Sequence, residues 1–159
     1  MMNKIIFAAF CLVFLSCNKE SEVALINNFP NFNYQNSKNQ EKAYVFTSNK
    51  LMLVFFDTSC KCNGKITYLD KHVNDLPKLD MLLLTTDSTF FGHPLYYYWK
   101  SLRSTDNINF GIVSFDVKSE LFGVKAPLKA LLYNEKGILV KNLGKEVNIS
   151  RILRSLESN

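Results

Sequence analysis

Apolar positions along the chain fall into unbroken runs and helical repeats that alternate. Leu51–Phe56 (L-M-L-V-F-F) is a continuous apolar run of strand length, the pattern of a strand buried on both faces. Ile66, Leu69, Val73 and Leu76 then recur at helical spacing until Pro77 stops them. A second run at 79–86 (L-D-M-L-L-L-T-T) predicts another buried strand. Asp87 or Ser88 follows as a cap, and the aromatic-rich stretch from Pro94 to Arg103 predicts a helix. Residues 108–113 predict a third strand, and 116–122 a short helix closed by Gly123. Leu128–Tyr133, the turn N-E-K-G at 134–137 and residues 138–141 predict a hairpin. Ile152, Leu153 and Leu156 give one apolar face to a last helix at about 149–157. This order implies an α/β domain, a mixed sheet covered on both sides.

Upstream, the pattern changes. Residues 18–42 are rich in Asn, Lys, Glu, Ser and Gln and read as a polar tether. Within them Phe29, Phe32 and Tyr34 are placed to dock on the domain as an extended segment. The first residues differ again: M-M-N-K is a short positive start, and I-I-F-A-A-F-C-L-V-F-L is too short to span a bilayer. F-L-S-C at 14–17 resembles a bacterial lipobox, with Phe14 where the usual pattern has Leu. That resemblance implies cleavage of residues 1–16, lipid on Cys17 and a membrane anchor facing the periplasm. An ordinary cleaved signal is the alternative, and both readings export the chain. Asn18 in place of Asp favours the outer membrane. The expected organisation is a signal at 1–16, lipidated Cys17 with its tether over 17–42, and one domain over 43–159.

Composition narrows the function classes. Of the 159 residues 47% are apolar and 21% charged, so a single well-filled core is within reach and wholesale disorder is excluded. The formal charge is +5, falling to +4 once the signal and its Lys4 are removed. Its lysines are scattered, which argues against a nucleic-acid surface. Cys11 leaves with the signal and Cys17 carries the lipid, so Cys60 and Cys62 alone remain as thiols. An exported compartment lets a disulfide between them persist.

Three stretches, in order, carry a family likeness. L-M-L-V-F-F-D-T-S-C at 51–60 looks like a strand ending in an aromatic pair, then a loop to a first active-site Cys. F-G-V-K-A-P-L-K-A-L-L at 122–132 looks like the segment Y-G-V-x-x-x-P-T-x-x-L, with Pro127 at its proline position. Y-N-E-K-G-I-L-V at 133–140 looks like the hairpin I-D-x-D-G-x-I-V. Together they resemble the thioredoxin-like superfamily, and within it the membrane-tethered TlpA or ResA-type thiol–disulfide oxidoreductases. What this implies is exchange with thiols and disulfides of exported proteins and an unidentified redox partner, without a cofactor. Cys60 would attack and Cys62 resolve the mixed disulfide. A strand-to-helix junction favours a Cys60 thiolate through free N–H groups and the helix dipole, with Lys61 and Lys65 adding positive charge. The resemblance further implies a cis peptide at Ala126–Pro127, leaving the backbone at Ala126 free to pair with a substrate chain.

The sequence also departs from that family. The family motif is C-x-x-C; here it is C-x-C, with Asn63 where the second Cys would stand. Residues two apart lie about 200° apart on a helix, so a Cys60–Cys62 bond requires Cys60 off the helix in a bent loop. Such a ring is expected to be strained and therefore more oxidising. Thioredoxin carries a buried Asp six residues before its first Cys; Val54 stands there, and Asp57 is the nearest substitute. A thioredoxin-like scaffold without redox turnover is one alternative. A Cu(I) chaperone of the Sco type, using both sulfurs, is a second. His72 and His93 are the imidazoles that could assist it, although packing or surface roles account for both. Peroxidase chemistry is disfavoured by Leu53 and Asp57 where Pro and Thr or Ser are needed. Tyr96, Tyr97, Tyr98 and Trp99 read as a core-and-surface aromatic run rather than a ligand platform.

Overall fold

A computed structural model describes residues 27–76 and 79–157. The signal at 1–16, Cys17 and Pro77 lie outside the described residues. Across the described chain, seven strands build one sheet: β1 (Asn33–Gln35), β2 (Glu41–Ala43), β3 (Leu51–Phe56), β4 (Asp80–Thr85), β5 (Ile108–Ile112), β6 (Leu128–Tyr133) and β7 (Leu139–Gly144). Their spatial order is β2-β1-β5-β4-β3-β6-β7. The pairs β3–β4 and β4–β5 are parallel, whereas β6 and β7 run antiparallel on one flank. The mixed α/β sheet is the one the apolar runs imply. All six residues of β3 are buried, as a strand with neighbours on both edges and layers on both faces must be.

Alternating side chains of the central strands divide the core in two. Met52, Val54 and Phe56 of β3 join Met81 and Leu83 of β4 on one face. There they meet Ile66 and Leu69 of α1 (Gly64–Lys71), Leu95 of α2 (Pro94–Tyr98), Leu102 of α3 (Lys100–Arg103), and Ile149 and Ile152 of α4 (Ile149–Glu157). Leu51, Leu53 and Phe55 face the other side, with Leu82, Leu84, Phe122 and Tyr133. That side is covered by the π-helical turn Val117–Leu121 and by the segment carrying Phe29, Phe32, Tyr34, Tyr44 and Phe46.

Two expected boundaries move. Residues 28–42, assigned to the tether by composition, enter the fold: β1 and β2 form a hairpin, and Gln35 pairs with Ile112 of β5. Aromatic packing accounts for the difference. Phe29 sits 5.2 Å from Tyr44, 5.9 Å from Phe122 and 5.1 Å from Tyr133, ring centre to ring centre. The single helix expected from Pro94 to Arg103 is two short helices with Trp99 between them, at φ −82° and ψ 68°. The break turns Trp99 fully into the core, where its indole N–H donates to Thr67 Oγ1 at 3.1 Å. Its neighbours Tyr97 and Tyr98 are exposed, so that run divides between core and surface as the sequence suggests. Gly123 closes the 117–121 turn at φ +63°, the left-handed conformation that a glycine adopts without steric cost.

Candidate redox site

Strand β3 delivers the chain to the site. Its last residue, Phe56, is fully buried, and Asp57 starts a tight loop that runs through Thr58 and Ser59 to Cys60. Cys60 is extended (φ −75°, ψ 129°) and precedes a single 3-10 turn, Lys61–Asn63, which leads into α1. The Cys60 and Cys62 sulfurs are bonded at 2.04 Å, with their Cα atoms 5.0 Å apart. Cys60 thus lies off the helix in a bent loop, the arrangement the C-x-C spacing demands. The Cys62 N–H also donates to Cys60 Sγ at 3.1 Å. Both cysteines are half-buried, and Lys61 between them is exposed.

Hydrogen bonds fasten this loop at several points. Cys60 N–H donates to Asp57 O at 3.0 Å, and Asn63 N–H to Cys60 O at 3.1 Å. The Asn63 side-chain amide donates to the carbonyls of Asp57 and Thr58, both at 3.0 Å. Asp57 Oδ1 accepts from Ser59 N–H at 3.0 Å and from its hydroxyl at 2.8 Å. Those bonds hold the Asp57 carboxyl below the ordinary carboxylate range. From the end of β4, Asp87 reaches across: its Oδ2 accepts from Thr58 Oγ1 at 2.6 Å, and its Oδ1 from Thr89. The hydroxyls of Thr58 and Thr89 lower the Asp87 pKa in turn. Lys118, only 7% exposed in the π-helical turn, completes the local charges. Desolvation pulls its ammonium below the ordinary lysine value, and attraction to Asp57 opposes that shift.

The pairing of β3 with β6 decides where the predicted substrate-positioning residues fall. Phe56 pairs with Leu128, so Pro127 and Asp57 emerge side by side from the ends of adjacent strands. Ala126 is half-buried and Pro127 exposed on that edge. Among the described residues no peptide bond is cis, so Ala126–Pro127 is trans, contrary to what the family likeness implied. Lys65 Nζ donates to Lys145 O at 2.9 Å.

Neither histidine joins the sulfurs. His72 Nδ1 is 2.9 Å from Asp75, and His93 Nδ1 accepts the Leu95 N–H at 3.2 Å, capping α2. Among the described residues no group of three or more His, Cys, Asp and Glu side chains is placed to hold a metal. Of the residues the sequence singled out, the structure brings together the cysteines, Asp57 and the β6 edge. The sequence pattern assigned no role to Asn63, Thr58 or Lys118, and it gave Asp87 only a capping role. Asn63 carried a usable signal, since it occupies the position of a missing cysteine.

No protein-family model and no curated protein matches the sequence. Solved structures do match. An exposed lipoprotein thioredoxin of Streptococcus pneumoniae is 15% identical, with a TM-score of 0.59 over 82% of this chain and 100% of its own. A thiol-disulfide oxidoreductase from Bacteroides fragilis is 15% identical, with a TM-score of 0.58 over 81% and 98%. BsSco, a member of the Sco family of cytochrome c oxidase assembly proteins, is 16% identical, with a TM-score of 0.56 over 84% and 94%. Strand order, the half-buried cysteine pair after β3 and these likenesses agree: the chain has the thioredoxin-like fold, with a Cys-x-Cys pair just beyond the end of the interior strand β3.

Proposed function

We propose that this protein catalyses thiol–disulfide exchange on exported proteins, anchored to a bacterial membrane through lipid on Cys17. One observation carries the reading: a half-buried disulfide sits just beyond the carboxyl end of β3, where the start of β6 lies alongside. In the oxidising direction a substrate thiolate attacks Cys60 Sγ, the Cys60–Cys62 bond breaks, and Cys62 leaves as a thiolate. The second substrate thiolate then attacks its own sulfur in the mixed disulfide and releases Cys60. The substrate gains a disulfide, and two electrons pass to the protein dithiol. In reverse, Cys60 attacks a substrate disulfide and Cys62 resolves the intermediate. Ala126 and Pro127, next to Asp57, line the edge along which a substrate chain would lie, and Lys61 adds a cation beside the nucleophile. Export is supported by the apolar start of the chain. A neighbouring fold described as an exposed lipoprotein is consistent with it, and no helix among the described residues is long and apolar enough to cross a membrane.

The test is mixed-disulfide trapping in cells. Cys62→Ser is expected to accumulate covalent adducts with partner proteins, released by reductant, whereas Cys60→Ser accumulates none. If neither variant traps a partner, the scaffold reading replaces the catalytic one.

A further inference from the structure

Asn63 has an unusual position in this loop. It is 7% exposed, and its amide nitrogen donates to two backbone carbonyls, Asp57 O and Thr58 O. Carbonyls only accept, so the nitrogen must face them and the amide orientation is fixed. Its other end, Oδ1, is buried and has no hydrogen-bond partner, the one such side-chain atom among the described residues. A buried acceptor left open is costly, and native structures keep few of them. This one lies on the residue that follows Cys62 in the same 3-10 turn.

The oxidised pair has no hydrogen on either sulfur. Reduction by a substrate dithiol changes that: the S–S bond breaks, the substrate sulfurs join, and two electrons and two protons pass to Cys60 and Cys62. The half-buried Cys62, packed against the main core, then carries an S–H donor. We infer that Asn63 Oδ1 is an acceptor kept open in the disulfide form and filled by the Cys62 thiol on reduction. Asn63 is then a positioning residue that stabilises the dithiol and makes the pair a better oxidant. The same side chain keeps its grip on the Asp57 and Thr58 carbonyls in both states, so the loop does not have to reorganise. This inference rests on the exchange activity proposed above.

Two measurements on the full chain test it. The first is the equilibrium of the Cys60–Cys62 pair with glutathione for the unaltered protein and Asn63→Ala. Losing the acceptor shifts the equilibrium toward the disulfide by about five-fold, the worth of one net hydrogen bond. Losing only the grip on the carbonyls would loosen the loop and shift it toward the dithiol. An unchanged equilibrium, or a shift toward the dithiol, overturns the inference while leaving the exchange activity intact. The second needs no change at Asn63. The infrared difference spectrum between the reduced protein and reduced Cys62→Ser isolates the Cys62 S–H stretch, expected at the lower frequency of a hydrogen-bonded thiol. A free-thiol frequency overturns the inference. If the unaltered pair never equilibrates with glutathione, the exchange reading fails and this inference fails with it.

Discussion

At the level of single residues, the loop is held by two carboxylates whose ionised form the fold prefers. The hydrogen bonds from Ser59 to Asp57, and from Thr58 and Thr89 to Asp87, stabilise the anions and lower both folded-state pKa values. A lowered folded pKa contributes stability above the unfolded carboxylate value of about 4, and that contribution is lost as pH falls through the folded value. Urea denaturation is therefore expected to show Asp87→Asn less stable at pH 7, with the gap to the unaltered protein closing at acidic pH. A gap independent of pH would mean that the carboxylate charge is irrelevant. Asp70 presents a different case. It is 8% exposed, and its Oδ1 accepts the Leu102 N–H at 2.9 Å, tying α1 to the start of α3. Asp70→Ala leaves that buried N–H unpaired and is expected to cost about 2 kcal/mol, read as a lower urea midpoint.

Among the elements, the hairpin of β1 and β2 is the one that composition concealed. Its Asn-rich sequence reads as a tether because the rings that pack on the core, Phe29, Phe32, Tyr34, Tyr44 and Phe46, are spaced without a clear period. Long-range packing supplies the missing information. Gly111 of β5 shows how close the approach is: a Cβ there would overlap the Tyr34 ring and come 2.9 Å from Leu84 Cδ2. Gly111→Ala is expected to destabilise the fold by about 1–3 kcal/mol through overpacking. It should also expose residues 27–46 to limited proteolysis before the rest of the domain. Cleavage at an unchanged rate would mean that the hairpin yields at no cost. The apolar runs of β3, β4 and β6 were legible for the opposite reason, since a strand buried on both faces declares itself in consecutive residues. Trp99 escaped the helical pattern because the indole's place among Phe56, Phe90 and Phe110 outweighs backbone continuity. Within the site, the cysteines and Asp57 were readable from order along the chain. Asp87 and Lys118 reach the loop only through strand pairing and the π-helical turn, which no local pattern encodes.

For the molecule as a whole, the question is whether the Cys60–Cys62 bond holds the fold together or is free for chemistry. A disulfide stabilises mainly by restricting the unfolded chain, and the restriction grows with the length of the loop it closes. Here the bonded residues are two apart in sequence. Closing a ring of about three residues is worth about 1.6 kcal/mol on the chain-entropy model. The core does not depend on it: two apolar layers enclose β3 from both faces, and the Asp57–Cys60, Cys60–Asn63 and Asn63–Thr58 hydrogen bonds that fasten the loop involve neither sulfur. Reduction is therefore expected to lower the thermal midpoint by less than about 10 °C and to leave the far-ultraviolet circular dichroism unchanged. Trp99 fluorescence should likewise stay that of a buried indole, because its packing against Phe56 and Phe110 lies in the core below the loop. A loss of about 4 kcal/mol or more on reduction, the size expected of a structural cross-link, would make the bond a staple and count against redox turnover. A small loss means that the protein can open and close this bond without unfolding, which thiol–disulfide exchange at this site requires.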